Sequence, residues 1–343
     1  MSESQTLVKT IRVAVAGVGR FGENHARIYS ELPGVELVGI FDADEERARE
    51  MAAKYQCQSF ARLQDMKGQV DAATVSVPTQ SHSAIAVELL ESGIDVLVEK
   101  PLASSLAEAD EMVAAASGHN RILQVGHLER FNPAVAAART VARVPLFFEA
   151  HRLSPFSPRS LDVDVVLDLM IHDLDIVLSL IDSEVKEIRA VGLPVLTSKI
   201  DIANVRIEFA NACVANFTAS RVSTERVRKL RWFQASEYVS LDYDRQDAFA
   251  IAVRMTEQGP SLEPRQLHPV KQEPLRAQLE AFIQSVRTRK NPQVDGNHGR
   301  RALHLAHLIL SEITLHGDRL MQAQDSFSMD HPLSASAGLM AGK

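Results

Sequence analysis

Four ionisable side chains interrupt an apolar stretch, Leu167-Asp168-Leu-Met-Ile-His172-Asp173-Leu-Asp175-Ile-Val-Leu. On a helix, Asp168, His172 and Asp175 stand at i, i+4 and i+7 and share one face. Burying such groups in a core helix is costly unless they are paired or put to use. Imidazole titrates near neutral pH, so His172 suits a general base, oriented and made more basic by Asp168 or Asp175. An Asp–His pair satisfied inside interdomain packing is the blander alternative. The three make a poor ligand set, and no metal is expected. A second reactive group is Lys100, in Glu99-Lys100-Pro101, which follows a buried strand and precedes a proline that fixes the local backbone. A partly desolvated lysine there can hold a substrate hydroxyl or shuttle its proton.

A separate stretch, Ile11 to Asp42, carries the pattern of a dinucleotide-binding site. Ile11–Ala16 reads as a strand buried on both faces. It runs into Gly17-Val-Gly19-Arg20-Phe21-Gly22 and then a helical pattern through Ala26, Ile28, Tyr29 and Leu32. Glycines let the chain turn tightly, approach a pyrophosphate and pack the helix on the strand, while the helix N-terminus faces the phosphates. A second apolar run, Val35–Phe41, ends at Asp42, twenty residues past Gly22, where a carboxylate can accept from an adenosine ribose. The same carboxylate repels a 2′-phosphate, which favours NAD over NADP, although Arg47 lies close by.

The remaining chain builds the scaffold around those residues. After helix Glu45–Tyr55 and a short strand at 58–60, strands are predicted at 71–77, 94–98 and 122–125, with helices at 84–91 and 106–116. Ser81 is placed as an N-cap and Gly93 as a stop. Alternating strands and helices imply a parallel sheet, with ligands beyond the strands' carboxyl ends. The fingerprint, the Pro78-Thr79-Gln-Ser81-His82 loop, the Lys100 turn and Gly126-His127 all lie at those ends, so four turns open onto one crevice. His25, His82 and His127, at loop or helix starts, read first as hydrogen-bonding scaffold. Beyond residue 128 a helix is expected over 132–143, a strand over 146–153 and an apolar helix over 164–180. Period-two patterns over 205–209, 213–219, 230–235, 238–241 and 249–253 then argue for a mostly antiparallel sheet with one covered face. Val205, Ile207 and Phe209 are candidates for an open face that would pair subunits into a dimer or tetramer. Residues 258–274, with four prolines, read as irregular; 275–289 and 299–316 are amphipathic helices free to pack on either domain. The division expected is 1–127 for the dinucleotide, 128–322 for substrate and oligomerisation, and a flexible tail over 323–343.

Composition narrows the class. The 343 residues, 45% hydrophobic and 24% charged, suit two globular domains. A net charge of −7 gives no reason to expect nucleic acid, and no apolar run is long enough to span a bilayer. Two cysteines, Cys57 and Cys213, are too few for a disulfide framework or a cysteine metal site. The N-terminus lacks the apolar core of a signal peptide, so a cytoplasmic location is expected.

Taken together, the glycine fingerprint with His25, Pro78 to His82, Glu99-Lys100-Pro101, Asp168 with His172 and Asp175, and the stretch from Glu273 to Ile309 resemble the glucose–fructose oxidoreductase and inositol dehydrogenase family. The resemblance implies an α/β protein: an N-terminal Rossmann domain, then an α/β domain on a large open, mostly antiparallel sheet that carries substrate. It implies NAD(P)-linked oxidation of a sugar or cyclitol hydroxyl, with Lys100, His172 and Asp168 at the reaction centre. Around the cofactor it places Gly17, Gly19, Arg20, Phe21, Gly22, Asp42, Pro78, Thr79, His82, Glu99 and Lys100. Gly126-His-Leu-Glu-Arg-Phe-Asn-Pro133 and Val165 to Asp175 look like the branch that oxidises nucleotide sugars such as UDP-N-acetylglucosamine at the 3-hydroxyl, feeding 2,3-diamino sugar synthesis for lipid A or O-antigen. Val165, Val166 and Met170 stand where the wider family has glycines, so substrate residues do not carry over from glucose or inositol enzymes. Arg130, Asn132, Arg152 and Arg159 are the candidates for a uridine diphosphate, against a plainer role in capping and surface charge. The rival readings are a dehydrogenase of a free sugar or inositol, and a non-catalytic sensor of the nucleotide. Retention of Lys100 with Asp168 and His172 argues against the sensor.

Overall fold

The computed structural model describes residues 9–157 and 163–329. Strand β1 (Ile11–Ala16) is buried except at Arg12 and passes through the glycine turn into α1 (Arg20–Glu31). Next come β2 (Val35–Phe41), α2 (Glu45–Tyr55), β3 (Gln58–Ser59), β4 (Ala72–Val75), α3 (His82–Glu91), β5 (Asp95–Glu99), α4 (Leu106–Gly118) and β6 (Leu123–Gly126). The six strands pair in parallel in the order β3-β2-β1-β4-β5-β6, so the order reverses beside β1 and a crevice opens at its carboxyl end. Local chemistry fixes the helix starts: Asp44 accepts from the Arg47 amide and Ser105 from the Glu108 amide. Ser81 stands at the N-cap of α3 as expected, but its side chain makes no capping bond.

The second half begins with α5 (Pro133–Arg139), capped by Asn132, which accepts from the Ala134 amide at 3.0 Å; it is shorter than the expected 132–143 because residues 140–142 bond back three residues in tight turns. After β7 (Pro145–Leu153), a π-helical turn (Val166–Met170) leads into α6 (Ile171–Leu180). Then follow β8 (Val185–Leu193), β9 (Ile202–Phe209), β10 (Val214–Ser220), β11 (Val227–Gln234), β12 (Glu237–Asp242), β13 (Asp247–Thr256) and β14 (Gly259–Gln266). They join β7 in one sheet ordered β14-β13-β12-β11-β7-β10-β9-β8, antiparallel throughout except where β10 lies parallel to β7. The reading of 258–274 as irregular is corrected by β14: Pro260 and Pro264 sit on the sheet's edge strand, the place where a missing N–H costs little.

The expected role of Val205, Ile207 and Phe209 is also corrected. All three are fully buried in a core that includes Leu174 and Val177 of α6. A sheet exposes alternate residues, and β9 turns this set toward the helices. The opposite face carries an aromatic row instead, Phe147, Phe233, Tyr238 and Phe249, with neighbouring ring centroids 5.0–5.8 Å apart.

Two C-terminal helices fasten the halves. In α7 (Pro274–Thr288), Leu279, Phe282 and Ile283 pack with Ile11 and Val13 on the parallel sheet, so this helix completes the first half although it lies late in the chain. In α8 (Gly296–Met329), Leu303 joins the core of the parallel sheet and Ile309 and Ile313 join that of the large sheet. Residues 323–329, assigned from sequence to a flexible tail, continue α8; residues 330–343 lie outside the described residues.

Candidate active site

At the glycine turn the structure separates two roles. Gly17 has φ +88°, and a Cβ there would lie 2.5 Å from the Ser76 carbonyl oxygen; at Gly22 it would lie 1.9 Å from that of Gly17. Both glycines are demanded by the protein's own packing. Gly19 is different: a Cβ would meet nothing within 4 Å, and its φ of −61° suits any residue. The space beside it lies at the N-terminus of α1, where free amides and the helix dipole favour an anion. Asp42 is anchored to the same turn, accepting from the amides of Val18 at 2.7 Å and Asp44 at 2.9 Å. Arg20 and the exposed Phe21 stand on the rim. This arrangement fits a dinucleotide, with phosphates at Gly19 and a ribose at Asp42.

The adjoining turns are held by side chains committed to protein. Glu99 is buried at the end of β5, within 3.1 Å of His25 Nε2, and it accepts from Gln278 at 3.4 Å. A Cβ on Gly126 would collide with the Glu99 carboxyl, so that glycine is required by the acid. His82 is buried with its ring nitrogens 2.9 and 3.0 Å from the carbonyl oxygens of Pro101 and Val77, which ties the Pro78-Thr79 loop to the Lys100 turn. Burial lowers its pKa despite those carbonyls. Its direct contact with a cofactor, implied by the family resemblance, is replaced by this bracing role; Pro78 and Thr79 lie just before it at the crevice edge.

Across the crevice, Lys100 Nζ donates to the Asp168 carbonyl oxygen at 2.7 Å and to Asp168 Oδ1 at 3.0 Å. The Rossmann half and the π turn before α6 are thereby joined at the two residues singled out for chemistry. An ammonium has three protons, so one remains for a substrate oxygen. The expected helical face of Asp168, His172 and Asp175 is corrected. Asp168 lies in the π turn, whose i→i+5 bonding breaks the i, i+4 alignment, and it serves Lys100. Asp175 pairs with Arg130 at 3.7 Å. Neither acid orients His172, and its basicity runs opposite to expectation: burial, then the charges of Lys100 and Arg152, hold its pKa well below the ordinary value. The imidazole is therefore neutral at neutral pH and ready to accept a proton. Its ring meets that of His127 edge to face at 6.5 Å. His127 Nδ1 and Nε2, His172 Nδ1 and Asp175 Oδ2 are buried without a hydrogen-bond partner among the described residues. Unpaired buried polar atoms are costly, and gathering four of them here marks a place prepared for a ligand or water.

The arginine candidates turn inward. Arg130 is buried and bonds to the carbonyl oxygens of Gln293 and Asp175. Asn132 caps α5 and donates to Glu129 and to the Tyr243 carbonyl. Arg152 is held by Asp173 at 2.6 and 3.0 Å and by Glu129 at 3.0 Å, and lies over the Tyr243 ring. Burial opposes its charge, but Asp173 and Glu129 outweigh it and raise its pKa well above the usual value. These three support the crevice wall and are corrected as substrate ligands; Arg159 lies outside the described residues. Sequence reasoning missed Glu129 and Asp173, whose partner Arg152 is distant in the chain, and undervalued His127, whose place at a strand's carboxyl end was the available signal.

Comparison with known proteins agrees with this geometry. The family model described as an oxidoreductase family with an NAD-binding Rossmann fold matches residues 11–127, and the GFO/IDH/MocA C-terminal domain matches 143–233. A UDP-N-acetylglucosamine 3-dehydrogenase of Acidithiobacillus ferrooxidans is 36% identical over 296 residues, spanning 85% of this chain and 94% of that protein. A solved structure of a UDP-N-acetylglucosamine 3-dehydrogenase from that organism superposes with a TM-score of 0.83, covering 88% of this chain and 97% of its own. An inositol 2-dehydrogenase of Acidothermus cellulolyticus is 30% identical over 54% of this chain and 57% of its own.

Proposed function

The chain belongs to the GFO/IDH/MocA oxidoreductase family, and on that premise we propose that it oxidises the 3-hydroxyl of UDP-N-acetylglucosamine, or a close relative, with NAD as acceptor. The observation that carries the chemistry is Lys100 joined to Asp168 beside a neutral, unpartnered His172. Gly17, Gly19, Gly22 and Asp42 would hold the dinucleotide, which when bound takes up a hydride. The spare proton of Lys100 orients the substrate hydroxyl, and His172 accepts the hydroxyl proton as the C–H bond breaks, leaving a 3-keto sugar. Asp168 keeps Lys100 aimed across the crevice. Asp42 favours NAD because it would repel a 2′-phosphate.

The choice of a nucleotide sugar over inositol is supported by the extent of likeness to the UDP-N-acetylglucosamine 3-dehydrogenase, which runs nearly the full length of both chains. Such a product suits an aminotransferase making 2,3-diamino sugars. A homo-oligomer formed through the Phe147, Phe233, Tyr238 and Phe249 face would cover that aromatic row, and a cytoplasmic setting would keep Cys57 and Cys213 as thiols. The deciding experiment incubates the enzyme with NAD and a panel of UDP sugars, free sugars and inositols, and reads the products by mass spectrometry. A keto product two mass units lighter from UDP-N-acetylglucosamine is expected; turnover of free sugars or inositol alone would refute the assignment.

A further inference from the structure

Arg228 stands apart from the other arginines of the crevice wall. It is the second residue of β11, on the same face as the buried Leu230 and Trp232, and it lies in register with Arg152 of β7. Directly opposed residues project to the same side with Cβ atoms about 5 Å apart, so Arg228 flanks the Arg152–Asp173 pair. Asp173 is the chain neighbour of His172, and the charge of Arg228 is among those that depress the His172 pKa.

Its partners are few. Among the described residues the nearest carboxylate oxygen is Asp244 Oδ1 at 3.8 Å, and that acid is already gripped by Arg226 at 2.7 and 2.8 Å. No hydrogen bond to the Arg228 guanidinium is present among the described residues, and its side chain is 28% exposed. Burial and the neighbouring charges of Arg152 and Arg226 work against its protonated form. Arg152, Arg226 and Arg228 face Glu129, Asp173 and Asp244, so the cluster has little surplus charge. What remains unspent is the planar fork of Arg228, whose five N–H donors match two phosphate oxygens at once.

We propose that Arg228 forms the subsite for the diphosphate of the nucleotide-sugar substrate. The inference rests on the substrate class assigned above: the diphosphate hangs from C1, two ring carbons from the C3 hydroxyl at His172. It replaces Arg130 and Arg152, which are committed to protein.

The test uses the whole enzyme saturated with NADH, so that the dinucleotide's own phosphate site is filled. UDP and inorganic pyrophosphate are titrated into that NADH complex of the parent, Arg228→Gln and Arg228→Lys by calorimetry, and KM and kcat are measured separately with NAD and UDP-N-acetylglucosamine. Losing a bidentate charged contact should raise both dissociation constants and KM about 10- to 100-fold in Arg228→Gln, with the loss falling on KM rather than kcat. Arg228→Lys keeps the charge without the fork and should recover part of the loss; it also serves if the glutamine variant does not fold. UDP and pyrophosphate binding within twofold of the parent in a folded variant overturns the subsite while leaving the substrate assignment standing. Pyrophosphate binding that depends on Arg228 in an enzyme inert toward every UDP sugar supports the anion site and refutes the substrate class.

Discussion

Replacing Gly19 with alanine separates cofactor binding from folding more cleanly than any other single change in the glycine turn. At Gly22 the added Cβ would sit 1.9 Å from the Gly17 carbonyl oxygen, so Gly22→Ala must displace backbone and destabilise the first half. At Gly19 the same atom meets no protein atom within 4 Å and the backbone is compatible with alanine. Removing a glycine there should stabilise the protein without nucleotide by about 0.4–1 kcal/mol, through a less flexible unfolded chain. The methyl group would stand where the pyrophosphate approaches the α1 amides. Displacing one charge-assisted hydrogen bond costs roughly 1.5–3 kcal/mol, or about 10- to 150-fold in affinity. Thermal unfolding without nucleotide and fluorescence titration with NADH measure the two effects independently. A Gly19→Ala protein that melts well below the parent, or one that binds NADH with parental affinity, would refute the separation of roles.

His172→Ala should lower kcat about 10²- to 10⁴-fold with the NADH dissociation constant unchanged, as stopped-flow absorbance and titration would report; parental turnover would remove His172 from the chemistry. Lys100→Met removes a charge that depresses the His172 pKa, so the acidic limb of the kcat/KM profile should move to higher pH; a limb that stays or moves lower would contradict the assignment. Because His82, His127 and His172 are buried with depressed pKa values, the unfolded chain binds more protons below its ordinary histidine range, and denaturant-measured stability should fall as pH drops below about 6.5. Arg152→Met leaves Glu129 and Asp173 without their shared cation and should cost about 3–5 kcal/mol in urea unfolding, far more than an exposed arginine would.

What the sequence determined by itself were the features written in local order. β1, the glycine turn, α1, β2 and Asp42 are consecutive, each obeying a short-range rule of periodicity, turn geometry or charge, and their positions agree with the structure. The alternation in the second half likewise disclosed a mostly antiparallel sheet, because side-chain period is a local property. Tertiary structure decided which groups meet. Arg152 finds Asp173 and Glu129 only because β7 lies against α6 and the turn after β6, and no spacing along the chain records that encounter. The role of Asp168 was settled in the same way: the π turn rotates it away from the helical pattern and toward Lys100, sixty-eight residues earlier. A charge without a nearby partner in sequence looks free to bind substrate until packing shows what has already claimed it: Arg130 and Arg152 are hydrogen-bonded to protein, whereas Arg228 has Asp244 at 3.8 Å and no hydrogen bond to its guanidinium among the described residues.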